Sequence, residues 1–292
     1  MAKIAKLSNQ HIRLEVDSQG AQMTSLKLKE DDLEYLWTAD SEYWGRHAPI
    51  LFPIVGKLKD DQYQLNGQSF DLTQHGFARD SEFELIEKTE DQLVYRLSSN
   101  PATLEKYPYQ FELDLSYELV ENEVKIKYRV KNKDEQKMYF SIGAHPGFNW
   151  PLEAGEKKHD YYLEFEKAEK VAAYYLEEGL LTNEHESFLV NSKVKNLIPE
   201  LFNNDALIFK NLSSEEVSLK SKQSAREVTV SFEGFPYLGI WSKSPEAPFI
   251  CIEPWYGIAD LKDSKGNLKE KKGINSIDPG AEFVCEHSIK IK

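Results

Sequence analysis

Between residues 111 and 130 the chain reads FELDLSYELVENEVKIKYRV. Apolar side chains fall on every second position: Phe111, Leu113, Leu115, Tyr117 and Leu119, then, past Glu121 and Asn122, Val124, Ile126, Tyr128 and Val130. Side chains of an extended strand point alternately to opposite faces, so a period of two buries one face and leaves the other wet. The stretch predicts two antiparallel strands joined by a tight turn. A second hairpin is read in DQYQLNGQSFDL, where Asn66 and Gly67 supply the positive φ angles of a two-residue turn. IRLEV (12–16), MTSLKL (23–28), LVYRL (93–97), EVTVSFEG (227–234) and EFVCEHSIKIK (282–292) continue the pattern. Helical periodicity is confined to short stretches near ATLEKY (102–107) and LIPELF (197–202).

Many strands separated by turns, without regularly alternating helices, predict an all-β fold: a large antiparallel β-sandwich with few short helices. No repeat, low-complexity segment or Pro/Gly/Ser-rich linker divides the 292 residues, so one domain over 1–292 is expected. The charged stretch LKDSKGNLKEKKGIN (261–275) reads as a solvated loop.

The formal net charge of −13 repels phosphate backbones and anionic lipid headgroups, which argues against nucleic acid and membranes as partners. An anionic small molecule could bind only where a few cationic side chains reverse that field locally. No apolar run approaches the ~20 residues that span a bilayer, and the start lacks an apolar core of signal-peptide length, so a cytoplasmic protein is expected. Cys251 and Cys285 are the only cysteines. Without metal-ligand spacing in the sequence they read as buried thiols, and no metal or cofactor is expected.

Only seven histidines are present, and one lies in SIGAHPGFNWP (141–151). Pro146 biases His145 towards an extended backbone at the end of a strand, and Gly147 removes a side chain where a ligand could approach. QHGFARD (74–80) offers His75 beside Gly76, with Arg79 close by. In FICIEPWYGIAD (249–260) Glu253 follows the apolar run Phe249 to Ile252, with Trp255 and Tyr256 beside it. A carboxylate ending such a run is a candidate for a partly desolvated cleft, and the aromatic rings could stack on the apolar face of a sugar. From the residues alone these features amount to a β-sandwich with a possible carboxylate and histidine acid–base site.

The ordered set goes further. APILFPIVGKL (48–58), then HGFAR, then GAHPGF 70 residues after the first histidine, then IEPWYGIAD with its glutamate 108 residues on, resembles the aldose 1-epimerase superfamily, the galactose mutarotase-like proteins. The wording of the histidine motifs is most similar to the branch of LacX-like proteins and hexose 6-phosphate mutarotases. The resemblance implies a cofactor-free mutarotase that interconverts α and β anomers of a hexose or hexose 6-phosphate. It implies Glu253 as general base on the C1 hydroxyl and His145 as general acid at the ring oxygen, facing each other across the cleft. The carboxylate would be ionised and the imidazole protonated, a division that mutual proximity favours. His75 would hydrogen-bond the sugar near its ring oxygen. Asp205 would bind sugar hydroxyls, although an Asp after two Asn residues is equally a turn former.

Arg46, in WGRHAP, and Arg79 stand where the phosphorylated-sugar branch binds phosphate, with Lys57 as a weaker third. A guanidinium fork suits phosphate geometry. The alternative is that Arg79 pairs with Asp80 or Glu82 and braces its loop. A non-catalytic carbohydrate-binding or sensing protein on the same fold remains the rival reading, and a glycoside hydrolase is disfavoured because only Asp205 offers a second carboxylate.

Overall fold

The hairpin that opens the sequence argument forms as strands Phe111–Val120 and Glu123–Asn132, in register with Leu115 opposite Tyr128 and Tyr117 opposite Ile126. Their even-period side chains are buried. The outer face carries one deliberate exception. Asp114 lies between Arg96 and Arg129 of the two flanking strands and accepts hydrogen bonds from both, the first at 2.7 Å from Arg96 Nε. The two guanidiniums overcome the cost of its partial burial and hold its carboxyl below the usual range.

This hairpin belongs to a 15-stranded sheet whose pairings are antiparallel. A three-stranded sheet of Ile4–Ser8, Ile12–Asp17 and Met23–Leu28 stands apart from it. The structure, a computed structural model, describes residues 3–292. Leu14 of the small sheet, Leu113 from one end of the large one and Ile250 and Ile252 from the other all enter the same apolar core. The large sheet therefore doubles back and encloses that core between its own two ends, which is the sandwich expected from the alternation. No helix among the described residues is long and apolar enough to cross a membrane.

The Asn66–Gly67 turn forms as expected, both residues at positive φ between Gln62–Leu65 and Gln68–Asp71. Of the two helical stretches, Pro101–Lys106 is an α-helix capped by Asn100, while Pro199–Phe202 is a single 3₁₀ turn. The longest strands, Tyr161–Glu177 and Leu180–Asn196, pair with several register shifts. Each shift moves the buried positions out of step, and this breaks the period-two signature by which a strand is recognised.

The charged stretch 261–275 is not wholly solvated. Lys271 is only 6% exposed, and its ammonium donates to the Ile258 carbonyl and to Asp260 Oδ1 at 3.0 Å. Asp260 Oδ2 accepts the Lys59 N–H, and the Asp260 N–H donates to the Lys57 carbonyl. The buried pair thus staples residues 57–59 to residues 258–260, beneath the cleft described below. Removing one partner strands a buried charge, so Lys271→Met should cost about 3–5 kcal/mol. The double variant Asp260→Asn/Lys271→Met should cost less than Lys271→Met alone. Urea denaturation of the two proteins checks the order.

Candidate active site

The strand Phe249–Tyr256 receives two short strands on one edge, Ile142–Ala144 and Gly147–Asn149. Gly143 pairs with Trp255 and Gly147 with Cys251. Carried through the gap, the same register puts His145 opposite Glu253. Pro146 has no N–H to give the ladder, and the strand is interrupted there, although its carbonyl still accepts from Ile252. His145 thus stands just past the end of the strand Ile142–Ala144, as expected, whereas Glu253 lies inside a strand rather than at its solvent-facing end. Cross-strand neighbours on one face lie close together. Accordingly His145 Nε2 and Glu253 Oε2 are 3.2 Å apart, side by side on one wall rather than facing each other across the cleft.

Alternation along Phe249–Tyr256 turns Cys251, Glu253 and Trp255 to the cleft side and Tyr256 away, where it packs on Phe235 with ring centres 4.7 Å apart. Of the two aromatic residues singled out beside the glutamate, only Trp255 lines the cavity. Its indole occupies space cleared by two neighbouring strands: a Cβ at Gly143 would lie 2.7 Å from the ring, and one at Gly239 would lie 2.5 Å from it.

The cavity has a volume of about 250 Å³ and is lined by His145, Glu253, His75, Asp205 and Arg79 of the expected set. Arg46 does not line it. It lies 2.8 Å from Asp80, whose other oxygen is 3.7 Å from Arg79 Nε. Arg79 also donates to the Gln74 carbonyl at 2.7 Å. One carboxylate therefore serves two guanidiniums. Past Gln74, Arg79 and Asp205 the cavity opens into a polar groove of about 1360 Å³, to which Lys57 contributes.

Several lining residues carried no weight in the sequence. Trp44 stacks on His145 at 4.8 Å, and Trp241 meets it edge-on at 5.6 Å. Gln74 and Lys243 complete the polar lining. Trp44 opens the quoted WGRHAP and Gln74 the quoted QHGFARD, so both were open to notice. Trp241 is brought in by strand pairing opposite Cys251, and Lys243 by the bend that follows that strand.

His75 and Asp205 both hold positive φ, at 66° and 72°. Such backbone is uncommon outside glycine and concentrates at functional sites. The Gly56 N–H donates to His75 Nδ1 at 3.1 Å, which leaves the ring proton on Nε2 as a donor. Asp205 is at once a turn former, accepting from Ala206 N–H, and part of the cavity wall.

Glu253 is 1% exposed and His145 8%. Burial raises the Glu253 carboxyl well above its ordinary range, Asp205 adds to the rise, and the Trp255 indole opposes it weakly. Burial lowers His145 to about 3, against a small rise from its own backbone, and the positive charges of Arg79 and Arg46 add to the fall. Proximity alone favours a carboxylate beside an imidazolium. In this dry wall desolvation acts the other way and favours a carboxyl beside a neutral imidazole. His75 is lowered too, first by burial and then by the charges around it. Glu253 Oε2 and His145 Nδ1 have no hydrogen-bond partner in the protein. Two buried side chains that can exchange one proton, with hydrogen-bonding capacity left unfilled by the protein, can act together as an acid and a base.

Among known proteins, the family profile described as aldose 1-epimerase matches residues 3–272. Protein LacX, chromosomal, of Lactococcus lactis subsp. lactis is 38% identical over 283 residues, 94% of either chain. The galactose mutarotase related enzyme of Lactobacillus acidophilus superposes with a TM-score of 0.95 at 37% identity, over 99% of this chain and 97% of that one. A galactose mutarotase-like protein of Lactobacillus casei superposes at 0.94 with 30% identity, over 99% and 100%.

At neutral pH an infrared spectrum should show the carbonyl stretch of a buried protonated carboxyl. The band should be absent in Glu253→Gln and weaker in Asp205→Asn, because removing the Asp205 charge lowers the Glu253 pKa.

Proposed function

The chain belongs to the aldose 1-epimerase family, and from that premise we propose that it is a mutarotase interconverting the α and β anomers of an aldohexose, free or 6-phosphorylated. The observation that carries this reading is the 3.2 Å contact between a buried carboxyl and a buried imidazole at the floor of a cavity. Opening a pyranose requires removal of the C1 hydroxyl proton and delivery of a proton to the ring oxygen. Both oxygens are bonded to one carbon, so an acid and a base that touch each other can reach both from one side.

In the scheme that follows, the proton resting on Glu253 passes to His145 as the sugar hydroxyls replace the missing solvation. Glu253, now a carboxylate, takes the C1 hydroxyl proton while His145 protonates the ring oxygen, and the bond between C1 and that oxygen breaks. Rotation about C1–C2 presents the other face of the aldehyde. Reclosure returns each proton along the opposite route, and the pair ends as it began. His75 Nε2–H supports the ring oxygen, and Asp205 accepts from sugar hydroxyls. Trp44, Trp241 and Trp255 offer apolar surface to the ring and keep the wall dry.

The surplus positive charge at Arg46 and Arg79 supports a phosphate at the end of the sugar remote from C1, where the cavity opens into the groove. The shared Asp80 supports the other reading, in which the arginines brace the loop and the substrate is a free hexose.

Anomer exchange measured by NMR saturation transfer on glucose, galactose and their 6-phosphates separates these outcomes. Faster exchange of the phosphorylated sugars alone, lost in Arg79→Met through a higher KM, assigns the arginines to phosphate. Equal acceleration of the free sugars assigns them to bracing. Glu253→Gln should lower kcat about 10²–10⁴-fold with sugar binding retained. No acceleration with any aldose would overturn the enzyme reading in favour of a binding protein.

A further inference from the structure

Cys251 precedes Glu253 by two residues on the same strand and projects from the same face. One ligand atom from each of His145, Cys251 and Glu253 lies within 4.8 Å of the others. Linear spacing hides this set, because its third member comes from a strand more than 100 residues away and meets the other two only through register. We propose that the floor of the cleft is also a binding site for a soft divalent transition ion of the zinc class, held by His145 nitrogen, Cys251 sulfur and Glu253 oxygen.

The argument stands on donor chemistry and geometry. Zinc takes imidazole, thiolate and carboxylate at about 2.0–2.3 Å, which in a tetrahedron sets neighbouring donors roughly 3.5 Å apart. The His145–Glu253 separation of 3.2 Å already fits, and with the three donors within 4.8 Å of one another the sulfur needs to close by at most about 1.3 Å. Glu253 Oε2 is a buried acceptor without a partner in the protein. Thiolate and carboxylate together balance a dication, so the loaded site is neutral and tolerates burial. The sulfur and the imidazole select a zinc-like ion over magnesium or calcium. Loading displaces the thiol and carboxyl protons to solvent. Three protein ligands leave a fourth position for water.

Because the ion engages both members of the acid–base pair, the ion and the sugar exclude each other. That half of the inference rests on the mutarotase reading. The site itself does not.

Titration of the intact protein with Co²⁺ tests the site directly. A thiolate-to-cobalt charge-transfer band in the near ultraviolet should grow to one equivalent, disappear on adding Zn²⁺, persist in Cys285→Ser and be absent in both Cys251→Ser and Cys251→Ala. No band in the wild type, or a band that survives in folded Cys251 variants, would overturn the site. Cys251 lies outside the proposed proton-transfer scheme, so Cys251→Ser should keep the basal rate of anomer exchange. Saturating Zn²⁺ should slow wild-type exchange at least tenfold and leave Cys251→Ser within twofold of its metal-free rate. A cobalt band without that inhibition would overturn mutual exclusion and leave the site standing.

Discussion

A carboxyl and an imidazole, both almost wholly withdrawn from water and 3.2 Å apart, set the terms for everything around them. Neither can carry its ordinary charge cheaply in that wall, because desolvation penalises a lone carboxylate and a lone imidazolium alike. The neutral pair and the charge-separated pair contain the same number of protons. Interchange between them therefore calls for no exchange with solvent, only a change in the local field. A sugar entering the cavity brings hydroxyl dipoles where the protein offers Glu253 Oε2 no partner. In the proposed scheme substrate binding and activation of the pair are thereby coupled.

The scaffold serves the placement of these two groups. Strand register sets His145 opposite Glu253, and on its other side the His145 N–H continues the pairing with Ile50–Leu51 by donating to the Pro49 carbonyl. Gly143 and Gly239 clear a seat for the Trp255 indole. The Asp260–Lys271 pair ties the segment after Gly56 to the segment after Gly257, and Gly56 in turn fixes the proton of His75. A buried ion pair adds little net stability in general. Here it joins two loops that each supply a wall of the cavity.

Much of this was legible in the sequence because strand alternation and short motifs are local. The hairpins, the sandwich and the candidates His145, Glu253, His75, Asp205 and Arg79 lie in stretches whose neighbours announce them. Arg46 was expected beside a phosphate together with Arg79, but it does not line the cavity and pairs with Asp80. What escaped notice depends on pairing between distant segments. Trp241 reaches the cavity through strand pairing and Lys243 through the bend that follows that strand, Lys271 is buried within a run of charges, and Tyr256 is turned away by the same alternation that presents Glu253. The direction in which burial shifts the pair was also beyond the sequence, since it opposes proximity and depends on the extent of burial.

The most direct test is the nitrogen-15 NMR spectrum of the histidine rings in the sugar-free protein at neutral pH, with His145 assigned by comparison with His145→Gln. The account predicts a neutral imidazole, with one ring nitrogen protonated and the other bare, and no titration near the ordinary value of about 6.5. An imidazolium at neutral pH, with both nitrogens protonated beside an ionised Glu253, would contradict it.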